Sequence, residues 1–285
     1  MSQELSKDQV KLFDREVKMV FQHKVADIRN RVRVKTGNAA SVQFGVVGKT
    51  STVLKTGFGS DNPGGNMSHA PVTITTQNWT TLAEYTDIFL NKQVDFDERQ
   101  IIAESVGLAM QRRLTQLVID ALVASSPSKT VADNVSGSSD NLNTSMLRRA
   151  AMLLAKDGAF DIGNVTLLAH SYGVHYLPKE VVVSSIDYNN KKAMVNGDSG
   201  DIYGYNILQV GDMSEGGLPL STNARSNFAF NKAAVGLFVN MEPWVDISWD
   251  HRRGMHAITG YLSANAGVID PLGVVKITTD ESHLA

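Results

Sequence analysis

The chain has 285 residues, of which 42% are hydrophobic, enough to bury a sizeable core in one large or two ordinary domains. Its 27 basic and 29 acidic side chains nearly cancel, which excludes the overall positive field behind sequence-independent nucleic-acid binding and makes any such contact local. The absence of cysteine excludes disulfides, thiolate metal sites and a cysteine nucleophile, and the polar start MSQELSKDQ and short apolar runs predict neither a signal peptide nor a membrane partner.

The first predicted element is an amphipathic helix from Ser6 to Arg31, with Val10, Phe13, Val17, Val20, Phe21, Val25, Ile28 and Val32 on one stripe and a capping box at Ser6-Lys7-Asp8-Gln9. No second helix follows to cover that face, so it has to dock on something remote in its own chain or in a neighbour. Next, Arg29, Arg31, Arg33 and Lys35 recur with a period of two and share one side if the backbone is extended. Such a run is either a solvated charged face or a strip facing phosphates.

From Ser41 to Thr76 the pattern turns to strand, with SVQFGVVG and STVLKTG leading to a tip FGSDNPGGNMSH and a return PVTITTQNWTTLAEY. The glycines and proline make the tip a turn or loop and not core. Two arms of about 15 residues give a hairpin of roughly 50 Å, marginal by itself in water, so the economical placement is over a neighbouring molecule.

The longest helical pattern follows, Asp95 to Ser125, with Ile101, Ile102, Val106, Ala109, Met110, Leu114, Leu117, Val118, Ala121 and Leu122 along a buried face. Asp95 and Asp97 suit its N-terminus and Ser125-Ser126-Pro127 its stop. This is a spine of roughly 45 Å. Its other face, with Arg99, Arg112, Arg113 and Gln116, is predicted to make intersubunit or inward-facing polar contacts.

A polar loop (128–143) precedes a second helix from Thr144 or Ser145 to Lys156, a buried strand Asn164–Ala169, and a turn or helix over His170–Leu177. The polar stretch Tyr188–Asp201 leads to a strand Ile202–Val210. A strand pair is predicted within Ser226–Asn240, a long hairpin from Trp244–Asp250 and Met255–Leu262, and a turn with a last strand over Gly267–Ile277.

The chemistry-bearing patterns are thin. Val165 to Gly173 runs a strand into A-H-S-Y-G, close to the nucleophile elbow of an α/β hydrolase, but Ala169 replaces its first glycine and no glycine-rich oxyanion loop precedes it. A triad built on Ser171 would need Asp187 or Asp246 with His251 or His256. Gly45-Val-Val-Gly-Lys-Thr ends like a phosphate-binding loop, yet Gln43 stands where its first glycine belongs. The seven histidines show no metal-ligand spacing, and Trp79, Trp244 and Trp249 read as packing or interface anchors. No catalytic residue, cofactor or metal is expected.

The order of parts (arm helix, glycine-tipped hairpin, long spine, then a mixed α/β region closed by a late strand) resembles tailed-phage major capsid proteins of the Hong Kong 97 type. From Arg33, RVKTGNAASVQFGVVGKTSTVLK is similar to the start of the extended loop in capsid proteins of short-tailed phages. Tyr85-Thr-Asp-Ile-Phe with Asp97-Glu98-Arg99 resembles the approach to the family's spine. Gly200-Asp-Ile-Tyr-Gly-Tyr-Asn-Ile is similar to its axial-domain strand, and Ala234-Val-Gly-Leu-Phe-Val to the strand after it.

The resemblance implies an α+β chain with an N-terminal arm (1–36), an extended β-hairpin loop (37–78), a peripheral domain with the spine (79–130 and 244–262) and an axial domain (131–243 and 263–285). It implies a non-enzymatic shell subunit of the virion that forms pentamers and hexamers of an icosahedral head around double-stranded DNA, assembled in the host cytoplasm. A separate scaffolding protein is expected, because the chain starts almost directly with its arm; a portal protein and a decoration protein are further partners. Candidate intersubunit residues are Lys55, Phe58, Asn62 and Asn66 on the ribbon, Asn189, Lys191, Lys192 and Asp198 on the axial loop, and Arg112 on the spine. Candidate DNA-facing residues, held to non-specific contact, are Arg29, Arg31, Arg33 and Lys35. Lys49 and Lys55 are the lysines available for the covalent crosslink some members make, with no acceptor defined. The alternative within the same fold is an encapsulin-like nanocompartment shell; the remote one is the hydrolase using Ser171.

Overall fold

The computed structural model of the protein describes residues 28–55, 57–58, 65, 67–87, 98–180, 202–212 and 215–282. The predicted arm helix lies outside them up to Ile28, where a 3-10 turn, Ile28–Arg31, leads into strand β1 (Arg33–Thr36). That helical turn breaks the period of two, so of the four cations expected on one side only Arg33 and Lys35 share a strand.

Strands β2 (Ser41–Phe44) and β3 (Val72–Thr75) form the predicted hairpin, with Ser41 opposite Thr75 and Phe44 opposite Val72. The same register continues to Val47 opposite His69 and to Gly48 N donating to Ser68 O at 2.7 Å. The described residues beyond Gly48 form no strand, so the ladder is shorter than the arms expected from sequence.

Strands β4 (Gln77–Thr80) and β5 (Glu84–Asp87) precede helix α1 (Glu98–Ala124), the spine. Its 27 residues span about 40 Å. It ends as the serines and proline predict: Ser125 Oγ donates to Leu122 O at 2.7 Å, and Ser126 adopts a φ of 42° ahead of Pro127.

The remaining elements are β6 (Thr130–Val131), helix α2 (Thr144–Lys156), β7 (Val165–His170), helix α3 (Ser171–Tyr176), β8 (Asn206–Val210), β9 (Leu220–Ser221), β10 (Ala224–Asn231), β11 (Val235–Asp250), β12 (Met255–Val268) and β13 (Val274–Asp280). Asn143 caps α2, its Oδ1 accepting from Met146 N at 2.9 Å. The strand expected over Ile202–Val210 starts only at Asn206, because Tyr203 and Gly204 turn the chain with φ of 58° and 74°.

Two sheets carry the fold. The first has order β1-β11-β12-β4, with β5 also on β12; the second has order β6-β13-β10-β7-β8, with β9 on β10. The predicted pair within Ser226–Asn240 is not a pair. Both edges of β10 are already taken by β7 and β13, and a 3-10 turn at Lys232–Ala234 passes the chain into the other sheet. The hairpin expected over 244–262 extends over 235–268, so it brings residues 235–243 and 263–268 into the first sheet.

The apolar stripe of α1 packs where its spacing predicts. Met110, Leu114, Leu117, Val118 and Leu122 join Leu237, Leu262 and Ala264 of the first sheet and Leu168, Phe228, Phe230 and Val274 of the second in one cluster. A Cβ at Gly260 of β12 would stand 2.8 Å from Val106 Cγ1 and 3.0 Å from Met110 Cγ, so the helix rests directly on strand backbone there. The other face of the second sheet, through Val165, Leu167, Ala229, Val275 and Ile277, meets Met146, Leu147, Ala150 and Leu154 of α2. A third, small cluster of Phe44, Ile74, Phe238 and Ile269 pins the base of the hairpin to β11.

Candidate assembly surfaces

Phe44 at the hairpin base is fully buried, while the described residues past Gly48 are apolar and uncovered: Leu54 is 85% exposed, Val53 is exposed, and Phe58 is exposed completely. Burying a side chain of this size is worth about 1.5–3 kcal/mol, and little of it is realised among the described residues. Lys55 is exposed beside them. The other ribbon candidates, Asn62 and Asn66, and the axial-loop candidates Asn189, Lys191, Lys192 and Asp198 lie outside the described residues. Of the exposed apolar residues here the sequence reading named Phe58 but not Val53 and Leu54; the signal for them was the apolar pair in STVLK beside a polar tip.

The candidate DNA-facing cations are largely engaged. Arg29 makes a bidentate pair with Glu242, Nη1 donating to Oε2 at 2.8 Å. Lys35 Nζ donates to Gln43 O at 2.9 Å and sits 4.7 Å from the Phe44 ring centre, with the Arg33 guanidinium 5.6 Å from it. Arg33 and Lys35 thus roof the hairpin base, and Arg31 stays half-buried in the turn.

The polar side of the spine is also occupied. Arg113 stacks on Trp79 at 3.5 Å and reaches Glu215 at 3.6 Å. Gln116 Oε1 accepts from Gly216 N at 2.7 Å. Gly216 lies against the Arg112 backbone, and its φ of 83° is the left-handed conformation that favours glycine. These contacts hold the 215–218 turn on the spine, so this side is covered intramolecularly around Arg112, Arg113 and Gln116. Of the other tryptophans, Trp244 is exposed and pairs with Tyr261 at 5.9 Å, whereas Trp249 packs against His256 and donates to His251 Nδ1 at 3.0 Å.

At the far end of the second sheet lies a buried charged group. Arg225, 1% exposed, donates from Nε and Nη2 to both oxygens of Glu281 at 3.0 and 2.9 Å, and from Nη1 to Asp212 Oδ1 and Leu218 O. Burial opposes its charge, but the two carboxylates outweigh that and raise its pKa. His170 lies beside it, Nδ1 3.2 Å from Glu281 Oε1 but off hydrogen-bonding alignment, so neither ring nitrogen is satisfied. Burial, and then the Arg225 charge, push its pKa down against the pull of Glu281 and Asp212.

Ser171 follows His170 at the start of α3, in the second sheet's layer, while the histidines proposed to complete a triad stand at the other sheet: His256 on β12 and His251 in the turn before it. Asp246 is likewise on β11. The topology therefore does not bring Ser171 together with either histidine through a shared sheet.

A profile of the phage capsid protein family matches residues 5–281. No curated protein matches the sequence. Among solved structures, the capsid of cyanophage P-SCSP1u is similar over 96% of this chain and 93% of its own, with 16% identity and a TM-score of 0.75. The head of Helicobacter pylori bacteriophage KHP40 is similar over 97% and 96%, with 12% identity and a TM-score of 0.73. The capsid of a native GTA particle is similar over 95% of each chain, with 13% identity and a TM-score of 0.70. At such identities the likeness is one of fold, and the fold is the Hong Kong 97 type.

Proposed function

This chain belongs to the phage capsid protein family, a structural component of the virion shell, and from that premise we propose how it builds one. Copies assemble into the pentamers and hexamers of an icosahedral head enclosing double-stranded DNA, without catalytic activity of their own. The observation that carries this is the ribbon: a base locked by Phe44 and Ile74, then Val53, Leu54 and Phe58, which the described residues leave exposed. A neighbouring copy supplies the missing cover. In this reading residues 1–36 act as an arm, 37–78 as the overlapping loop, the first sheet with the spine as the peripheral part and the second sheet as the axial part. Assembly in the host cytoplasm draws on a separate scaffolding protein and a portal, and the finished shell takes a decoration protein. Kinship to short-tailed phages rests on the motif beginning at Arg33.

The test is the double variant Leu54→Ser/Phe58→Ser. Both positions are exposed in the single chain, so urea stability of the subunit should change by no more than about 0.5 kcal/mol. Burial lost at each copy would be up to about 1.5–3 kcal/mol per side chain. Shells seen by negative stain and sedimentation for the parent should be lost or shifted to much higher protein concentration in the variant. A variant that assembles like the parent would defeat the proposal that the ribbon is covered by a neighbour.

A further inference from the structure

Helix α2 is exposed on the side opposite the one packed against the second sheet. Arg148, Arg149, Met152 and Lys156 are all exposed. Positions 148, 152 and 156 lie one above the other at the i, i+4 spacing, with Arg149 beside them, so an uncovered methionine sits inside a cationic frame about 12 Å long. The helix sequence TSMLRRAAMLLAK contains no carboxylate. Arg148, Arg149 and Lys156 form no hydrogen bond or ion pair among the described residues. The one carboxylate at the helix end, Asp157, is held by Lys129 at 2.5 Å, which also donates to Leu272 O. In a chain of net charge −2, whose Arg29 and Lys35 are engaged internally, this face is an exposed cluster of positive charge with no paired carboxylate among the described residues.

We propose that the outer face of α2 is a docking surface for an acidic segment of a second protein, one that carries an apolar side chain to cover Met152. Charge complementarity selects an anionic partner. Met152, 61% exposed at the centre of the frame, selects a peptide over a nucleic-acid backbone, because phosphates offer nothing to bury a thioether against, whereas an apolar anchor ringed by charge pairs is the ordinary anatomy of a protein contact. Methionine also adapts its shape to the partner.

The probes are a labelled peptide of four Glu-Leu-Glu-Glu repeats, a polyglutamate of equal length and a DNA duplex of about 16 base pairs, titrated against the full chain by fluorescence anisotropy at about 50 and 200 mM salt. The Glu-Leu peptide should bind, more weakly at the higher salt. Arg148→Gln/Arg149→Gln/Lys156→Gln should weaken it about tenfold or more. Met152→Ser should weaken it about fivefold while leaving polyglutamate unchanged, and Arg33→Gln/Lys35→Gln should have no effect. Thermal unfolding of each variant, and Arg148→Glu alone as a second probe of the face, guard against misfolding. Unchanged peptide binding in the triple variant overturns the proposal. So does duplex binding that matches the peptide and ignores Met152→Ser, which would make the face a nucleic-acid surface. A folded triple variant that no longer forms shells also overturns it, because the face would then be a contact between copies. Failure of the parent to form shells would strike the proposed function and leave this test standing.

Discussion

Gly260 offers the sharpest measure of how the spine is seated. Replacing it with alanine adds a methyl group 2.8 Å from Val106 Cγ1 and 3.0 Å from Met110 Cγ, well inside van der Waals contact. Met110 can rotate away, but Val106 is β-branched and stiff at χ1, so the helix or the strand has to move. Overpacking of this kind costs about 1–3 kcal/mol. The same chemical change at Gly107, one residue along the spine, meets Val245 Cγ2 at 3.9 Å, an ordinary contact, and exchanges a poor helix former for the best one, with a gain of about 0.5–1 kcal/mol. The two substitutions should therefore move the urea midpoint of the unassembled subunit in opposite directions, followed by far-ultraviolet circular dichroism. Val106→Ala placed on Gly260→Ala should recover part of the loss, giving a coupling energy of about 0.5–2 kcal/mol in a double-mutant cycle. If Gly260→Ala were neutral, or additive with Val106→Ala, the helix would not rest on β12 at this point.

The buried charges at the end of the second sheet give two more. Arg225→Ala leaves Glu281 and Asp212 without their cation, and because the Glu281 carboxylate is itself buried the subunit should lose about 3–5 kcal/mol in urea titration; Arg225→Lys should recover only part, lacking the fork that holds both oxygens. For His170, whose pKa is lowered on folding, the unfolded chain binds more protons than the native one just below the ordinary histidine value of about 6.5. Its contribution is thus complete above that pH and lost as the pH falls through it. The melting temperature should drop between pH 7.5 and 5.5, less steeply in His170→Gln; equal slopes would remove His170 as the cause.

Period and composition carried much of the architecture. The spine showed itself through Val106, Met110, Leu114 and Leu117, and its end through Pro127, because helix spacing and helix stops are local properties. The hairpin base was legible in the SVQF and VTIT segments for the same reason. What failed was non-local. Nothing within NFAFNKAAVGLFVN tells that β10 has both edges taken before β11 begins, so the two segments read as partners although they lie in different sheets. The expected shared side of the cation strip is broken because Ile28–Arg31 wind into a 3-10 turn, and Arg29 turns to Glu242, more than two hundred residues away. The axial-loop candidates fall outside the described residues. The α2 face was missed because Arg148 and Arg149 look like any solvated pair until their surroundings show no counter-charge.

The spine touches both sheets, and the chain crosses between them at Lys232–Ala234 and again, alongside, at residues 269–273. The arrangement is a hinge with a splint laid across it. Rotation of one sheet against the other would have to drag α1 over the Gly260 contact and break a single close-packed cluster, which resists small displacements because its side chains interlock. In the proposed icosahedral head the same subunit would meet its neighbours at more than one angle. With the two sheets braced together, that adjustment falls to whatever lies beyond the splint, and among the described residues the ribbon past Gly48 is the part with the fewest ties to the rest.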